Sequence, residues 1–158
     1  MATQSSATRS SISALLDDAR RELLQSFQGL TDEQMTAPLP DGWSVKDILA
    51  HVAMWDEMEL PDMRRAARGD QPGLDSFDYS FIDQWNHIQL VLRSRFPAKQ
   101  VLAELAESRQ AMMDFLSSLP DELLATGYIP MACMHSIRHD QRHAEQIRGW
   151  RQQEESAP

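Results

Sequence analysis

The chain is short of most of what builds sheets, disulfides or membrane spans. It has one cysteine, Cys133, in 158 residues. That excludes an internal disulfide framework and suits a reducing compartment. Only six glycines occur, and no run of alternating β-branched residues marks a strand. No stretch approaches the roughly 20 apolar residues that a bilayer span needs. Residues 1–10 are polar and lack the apolar segment of a signal peptide. Basic charge is short too: 15 Lys and Arg face 24 Asp and Glu, a net charge of −9. Nucleic acid and anionic membranes both need a basic footprint, so neither is an expected partner. The expectation is an acidic, cytoplasmic, globular chain, long enough for one domain that buries roughly 70% of its unfolded surface. That domain is expected to span 1–158, with frayed tails at 1–9 and 154–158.

Helical periodicity fills the gap. Ile12, Leu15, Leu16, Ala19, Leu23, Phe27 and Leu30 recur at three- and four-residue steps, predicting a helix over 10–28 that stops at Gly29. A connector over 31–43 holds Pro38, Pro40 and Gly42. Ser44 and Asp47 then read as a capping box, flanked by Trp43 and Ile48 in staple positions. The helix they open is predicted to reach Leu60, with Pro61 starting a further turn or a kink toward Arg68. A loop over 69–76 precedes a third helix over 77–96, with Phe81, Trp85, Ile88 and Leu92 on one face. Pro97 suits the first turn of a fourth helix ending near Leu119, with a stripe of Leu102, Leu105, Met112, Leu116 and Leu119. After a second connector over 120–130, a last helix is predicted over 131–153. The connectors echo each other in Leu30-Thr31-Asp32-Glu33 and Leu119-Pro120-Asp121-Glu122, a likeness that chance explains well enough.

Chemistry concentrates in five histidines: His51, His87, His135, His139 and His143. Three lie four apart on the last helix, where residues four apart turn only about 40° from each other and stack on one face. His139 and His143 sit deepest, and their face continues into Ile147 and Trp150. His51 shares its face with Ile48, Trp55 and Met58. Inward histidines on facing helices can meet around one metal ion, as bundles build such sites. Three imidazoles leave a coordination position open, the pattern of a catalytic site. A lone inward histidine, by contrast, is ordinarily a hydrogen-bonded core residue. Asp140-Gln141-Arg142 between the last two histidines does not supply the glutamate of a zinc peptidase, which disfavours that activity.

The segment Trp43-Ser44-Val45-Lys46-Asp47-Ile48-Leu49-Ala50-His51 resembles the entry of the second helix in the DinB-like superfamily. His139-Asp140-Gln141-Arg142-His143-Ala144-Glu145-Gln146-Ile147 resembles its closing helix. Ile82-Asp83-Gln84-Trp85-Asn86 is similar to a segment of the ClbS/DfsB-like branch. The resemblance covers about 10–150. It implies an all-α four-helix bundle with a left-handed twist, in a variant up-and-down topology with an extra short helix or long crossover. It also implies a divalent metal, zinc or nickel first, held by His51, His139 and His143, and a homodimer in many members. Relatives include thiol-dependent transferases and isomerases that use a low-molecular-weight thiol, and a hydrolase that opens the cyclopropane ring of a genotoxin. His135 is an extra histidine that competes with His143 as a ligand.

Other residues carry two readings each. Asp83, Asn86, His87 and Leu90 share a face of the third helix that is either solvated or a pocket wall where Asn86 or His87 orients substrate. Arg109 interrupts the fourth stripe; it either snorkels outward or, pointing inward, holds a substrate carboxylate. Cys133 is a buried hydrophobe or, near a helix start, an activated thiol. Glu57 and Glu59 are surface residues or support a histidine. Trp55, Met54 and Met58 would line any pocket beside His51. Asp140 and Glu57 are the candidates for proton transfer. The sequence thus points to a metal-dependent hydrolase or thiol transferase acting on a small electrophilic molecule. The alternative is a binding protein that sequesters a toxic small molecule without turnover.

Overall fold

The computed structural model describes residues 9–156, and among these it is all-α with no strand beyond an isolated bridge between Pro38 and Ser44. Four long helices form the bundle: α1 (Arg9–Phe27), α3 (Val45–Ala67), α5 (Ala98–Ser117) and α7 (Tyr128–Glu155). Three shorter ones, α2 (Asp32–Thr36), α4 (Ile82–Arg93) and α6 (Glu122–Ala125), lie in the connections. The expected tails fall mostly outside the described residues, at 1–8 and 157–158. Arg9, Glu154 and Glu155 are helical.

The starts and stops follow local chemistry. Ser44 caps α3: its hydroxyl accepts from the Asp47 backbone N–H, and the Asp47 carboxylate accepts from the Ser44 N–H at 2.9 Å. The same box, built from Thr31 and Gln34, opens α2. Gly29, just after α1, has φ +82°, a conformation that favours glycine. Pro61 leaves α3 continuous to Ala67. α7 begins three residues earlier than the pattern suggests, because Pro130 sits within its first turn, where a missing N–H costs nothing.

α1 packs mainly on α7 and lightly on α5, while α3 packs on both α5 and α7. Consecutive long helices α1 and α3 therefore lie diagonally, as do α5 and α7. Each diagonal crossing is made by one of the two echoing connectors, and each connector holds a short helix, α2 or α6. This is the long-crossover variant of the up-and-down bundle.

The apolar core has two ends. One gathers Leu23, Ile48, Val52, Leu105 and Ile147; the other Leu16, Met63, Met112, Leu116 and Cys133. Between them lies a buried ionic layer with one residue from each long helix: Arg20, Asp56, Arg109 and Asp140. Arg20 donates from Nε to Asp140 Oδ2 and from Nη2 to Asp56 Oδ2, both at 2.8 Å. Arg109 reaches Asp56 at 3.1 and 3.3 Å and Asp140 at 3.2 Å. Remaining donors go to the Leu105 and Leu16 carbonyls. Two cations meet two anions, so the layer is neutral.

α4 departs from expectation. It is shorter than 77–96, because residues 74–76 and 79–81 form 3₁₀ turns, and it buries none of its residues fully. Phe81, Ile88 and Leu92, expected on a core face, are 55%, 52% and 63% exposed. The helix lies outside the bundle against α3, and the Lys46 ammonium holds its end through the Ser94 and Phe96 carbonyls.

Candidate metal centre

The capping box fixes the phase of α3, and that phase turns His51 toward α7. His139 and His143 stand one turn apart on α7, facing back. The Nε2 atoms of His51 and His139 approach to 2.9 Å, and those of His139 and His143 to 3.1 Å. One ligand atom from each ring lies within 4.8 Å of the others. All three rings are buried. Trp43 and Trp55 stand edge-on to His51 at 5.1 and 6.3 Å between centroids.

Burial keeps these rings neutral. It pushes His51 down to about 3, helped by the charges of His143 and Arg142. His143 falls to about 4 by burial, against a raising hydrogen bond to Gln146. His139 is driven further down by burial and its two neighbours. Neutral imidazole is the form that ligates metals.

The donor set fits a divalent ion. Zn–N bonds of about 2.0–2.1 Å at tetrahedral angles separate two nitrogens by about 3.3 Å, close to the spacing here. His143 Nδ1–H donates to Gln146 Oε1 at 2.8 Å, and Gln146 Nε2 donates to Asp41 at 2.7 Å. This chain places the proton on Nδ1 and leaves the Nε2 lone pair facing the other rings. His51 Nδ1 is buried without a hydrogen-bond partner. With its proton on Nδ1, His143 turns an Nε2 lone pair toward His139, as a metal ligand would require.

His51 and His139 floor a cleft of about 310 Å³, lined also by Trp55, Tyr79, Ile82, Asn86, His135, Arg138 and Arg142. No carboxylate lines it. Trp55 donates to Asn86 Oδ1 at 3.3 Å, so α4 contributes a wall. Beyond His135 and Tyr79 opens a second hollow of about 240 Å³ with Glu59, Asp75 and Tyr128.

His135 is not among the three convergent histidines. It stacks on His139 at 5.6 Å, and its Nδ1–H donates to Glu59 Oε1 at 2.8 Å. Tyr128 donates to the other Glu59 oxygen. Glu59 thus supports a histidine, though not one of the convergent three.

Several candidates move elsewhere. Asp140 is fully buried between Arg20 and Arg109, about 100° around α7 from His139, so it faces the bundle axis and cannot move protons at the cleft. Glu57 is exposed and pairs with Arg93 at 3.2 Å. Arg109 points inward, yet both carboxylates of the ionic layer occupy it, leaving nothing for a substrate. His87 is exposed and lines no part of the cleft, while Asn86 and Trp55 do. Cys133 is buried and its thiol is pushed up to about 12, chiefly by burial, so it is no activated nucleophile. Tyr79, Ile82, Arg138 and Arg142 were missed by sequence reasoning. For the two arginines a signal existed: each precedes one of the convergent histidines by one residue.

The family model for the DinB superfamily matches residues 15–147. No curated protein matches the sequence. Among solved structures, an uncharacterised protein from Escherichia coli UTI89 is 13% identical, with a TM-score of 0.81 and 96% of each chain covered. The sibling lethal factor precursor DfsB is 14% identical, TM-score 0.80, covering 95% of this chain and 98% of that one. The colibactin self-resistance protein ClbS, in complex with a dsDNA, is 12% identical, TM-score 0.77, covering 92% and 96%. At such identities the likeness is one of fold.

Proposed function

The chain belongs to the DinB superfamily, and we propose that it is a metal-dependent enzyme acting on a small electrophilic molecule, with His51, His139 and His143 as ligands. The observation that carries this reading is the meeting of three neutral imidazole rings from two helices, two of which, His51 and His139, open onto a cleft. A divalent ion held there, zinc or nickel first, supplies Lewis acidity that polarises a bound electrophile and makes a nucleophile available at neutral pH. The chain's own residues do the rest. Gln146 and Asp41 hold the His143 ring in the ligating tautomer. Trp55, Ile82 and Tyr79 wall off water from an apolar segment of the ligand. Asn86, its carbonyl held by Trp55, offers an amide N–H to orient a polar group. The reaction is hydrolysis or, with a low-molecular-weight thiol as co-substrate, thiol transfer.

A second reading is capture without turnover. It is favoured by the lack of any carboxylate in the cleft to move protons, and by the structural likeness to ClbS, a self-resistance protein. The dsDNA of the ClbS structure carries over poorly to a chain of net charge −9.

Metal analysis of protein purified without a histidine tag tests the site. About one divalent ion per chain is expected, lost in His51→Ala. A metal-free wild type, or a His51→Ala protein that keeps its ion, refutes the proposal. Incubating the loaded protein with low-molecular-weight thiols and a panel of electrophiles then separates turnover from tight binding alone.

A further inference from the structure

We propose that Arg138 and Arg142 form an anion-binding fork at the mouth of the cleft, and that the small molecule the site takes carries a carboxylate. The inference rests on the reading just given, since it names the ligand class of the same cleft.

Both arginines line the cleft beside His51 and His139, and both are exposed. Arg9, Arg20, Arg21, Arg65, Arg68, Arg93 and Arg109 each reach a carboxylate. Arg138 and Arg142 reach none among the described residues; Arg64, Arg95, Arg148 and Arg151 reach none either, but of these six only Arg138 and Arg142 line the cleft. The pair also stands at i,i+4, about 6 Å apart along α7, where like charges weaken a helix slightly. Glu145 stands at i+3 from Arg142 but forms no ion pair with it and does not line the cleft, so the cleft contains no carboxylate.

The charge in the cleft is therefore of one sign, and a resident cation would add to it. A guanidinium fork pairs with a planar carboxylate through two parallel hydrogen bonds, a geometry that an ammonium cannot offer. With the carboxylate held at the rim and Trp55 and Ile82 along the wall, the remainder of the ligand extends toward the three imidazoles. The arginines touch the substrate away from the reacting atoms and set specificity.

The test uses a matched pair, 3-mercaptopropionate and 3-mercapto-1-propanol, which differ in the charged end. Their affinities are measured by calorimetry on zinc-loaded and on zinc-stripped protein, for wild type and for Arg138→Gln/Arg142→Gln. Both side chains are exposed, so the double variant is expected to fold. In wild type the carboxylate should bind at least about tenfold tighter than the alcohol, as two charge-assisted hydrogen bonds would give. In the double variant that ratio should fall to about twofold or less, with zinc content and alcohol affinity unchanged. A wild-type ratio near one, no detectable binding of the carboxylate, or a ratio that survives the double substitution overturns the proposal. So does displacement of 3-mercaptopropionate by inorganic phosphate but not by acetate. Zinc stoichiometry on the same samples keeps the two readings apart: wild type without zinc refutes the metal site, while the zinc-stripped ratio still judges the arginines.

Discussion

Replacing Asp56 with leucine tests the ionic layer directly. Asp56 is 2% exposed and accepts from Arg20 Nη2 at 2.8 Å and from Arg109 Nε and Nη2 at 3.1 and 3.3 Å. Asp56→Leu removes one of two anions and leaves two guanidinium groups sharing Asp140, a net buried charge of +1. Removing one partner of a buried pair costs about 3–5 kcal/mol, a large share of the roughly 5–15 kcal/mol that holds a domain together. At about 2–4 °C per kcal/mol for a chain of this size, the melting temperature should fall by about 6–20 °C. Adding Arg109→Met restores neutrality around the remaining Arg20–Asp140 pair. The double variant should therefore lose less than the two single losses summed, with a coupling of about 1–3 kcal/mol. Urea unfolding followed by circular dichroism reads both quantities, provided the slope is unchanged. Single variants within about 0.5 kcal/mol of wild type, or strict additivity in the double, would refute the reasoning.

The metal-free protein should lose stability on mild acidification. An unfolded imidazole takes its proton near pH 6.5, whereas folded His143 and His51 do so only near 4 and 3. Between those limits the unfolded state binds more protons, so stability falls as pH falls, by about 1.4 kcal/mol per pH unit for each ring; urea midpoints from pH 7 to 5 that stay flat would contradict this. Gln146→Leu removes the acceptor of His143 Nδ1–H and should weaken zinc binding about 10–100-fold in a chelator competition; unchanged affinity would show that the ring needs no such support. Ser44→Ala should cost about 1 kcal/mol in thermal unfolding, from the lost cap of α3, and a loss near zero would show the box to be idle.

The convergence of histidines was legible because each step was local. A capping box set where α3 starts, four-residue spacing aligned His139 with His143, and apolar neighbours turned both faces inward. The ionic layer was not legible. Arg20, Asp56, Arg109 and Asp140 are single charges on four separate helices, and each looks like a surface residue or an interruption until its three partners are known. Arg109 illustrates the limit: its place in the stripe allows an inward or an outward side chain, but a partner on α3 lies beyond any spacing rule. α4 misled for the opposite reason. Its apolar stripe is real, yet the helix lies outside the bundle: Trp85 packs against the cluster of Met54, Trp55 and Leu74, while Ile88 and Leu92 read as core and are exposed. Asn86, on the strip that reads as solvated, is the residue that meets the cleft.

α7 couples two jobs through neighbouring residues. His139 looks into the cleft and Asp140 into the ionic layer, with about 100° between them and a rigid helix enforcing that angle. Inserting or deleting a single residue between Asp140 and His143 would swing one job out of register while leaving the other in place. Lineages descended from this chain should accordingly tolerate changes of length in the exposed turn around 68–71, and hardly ever within 135–146.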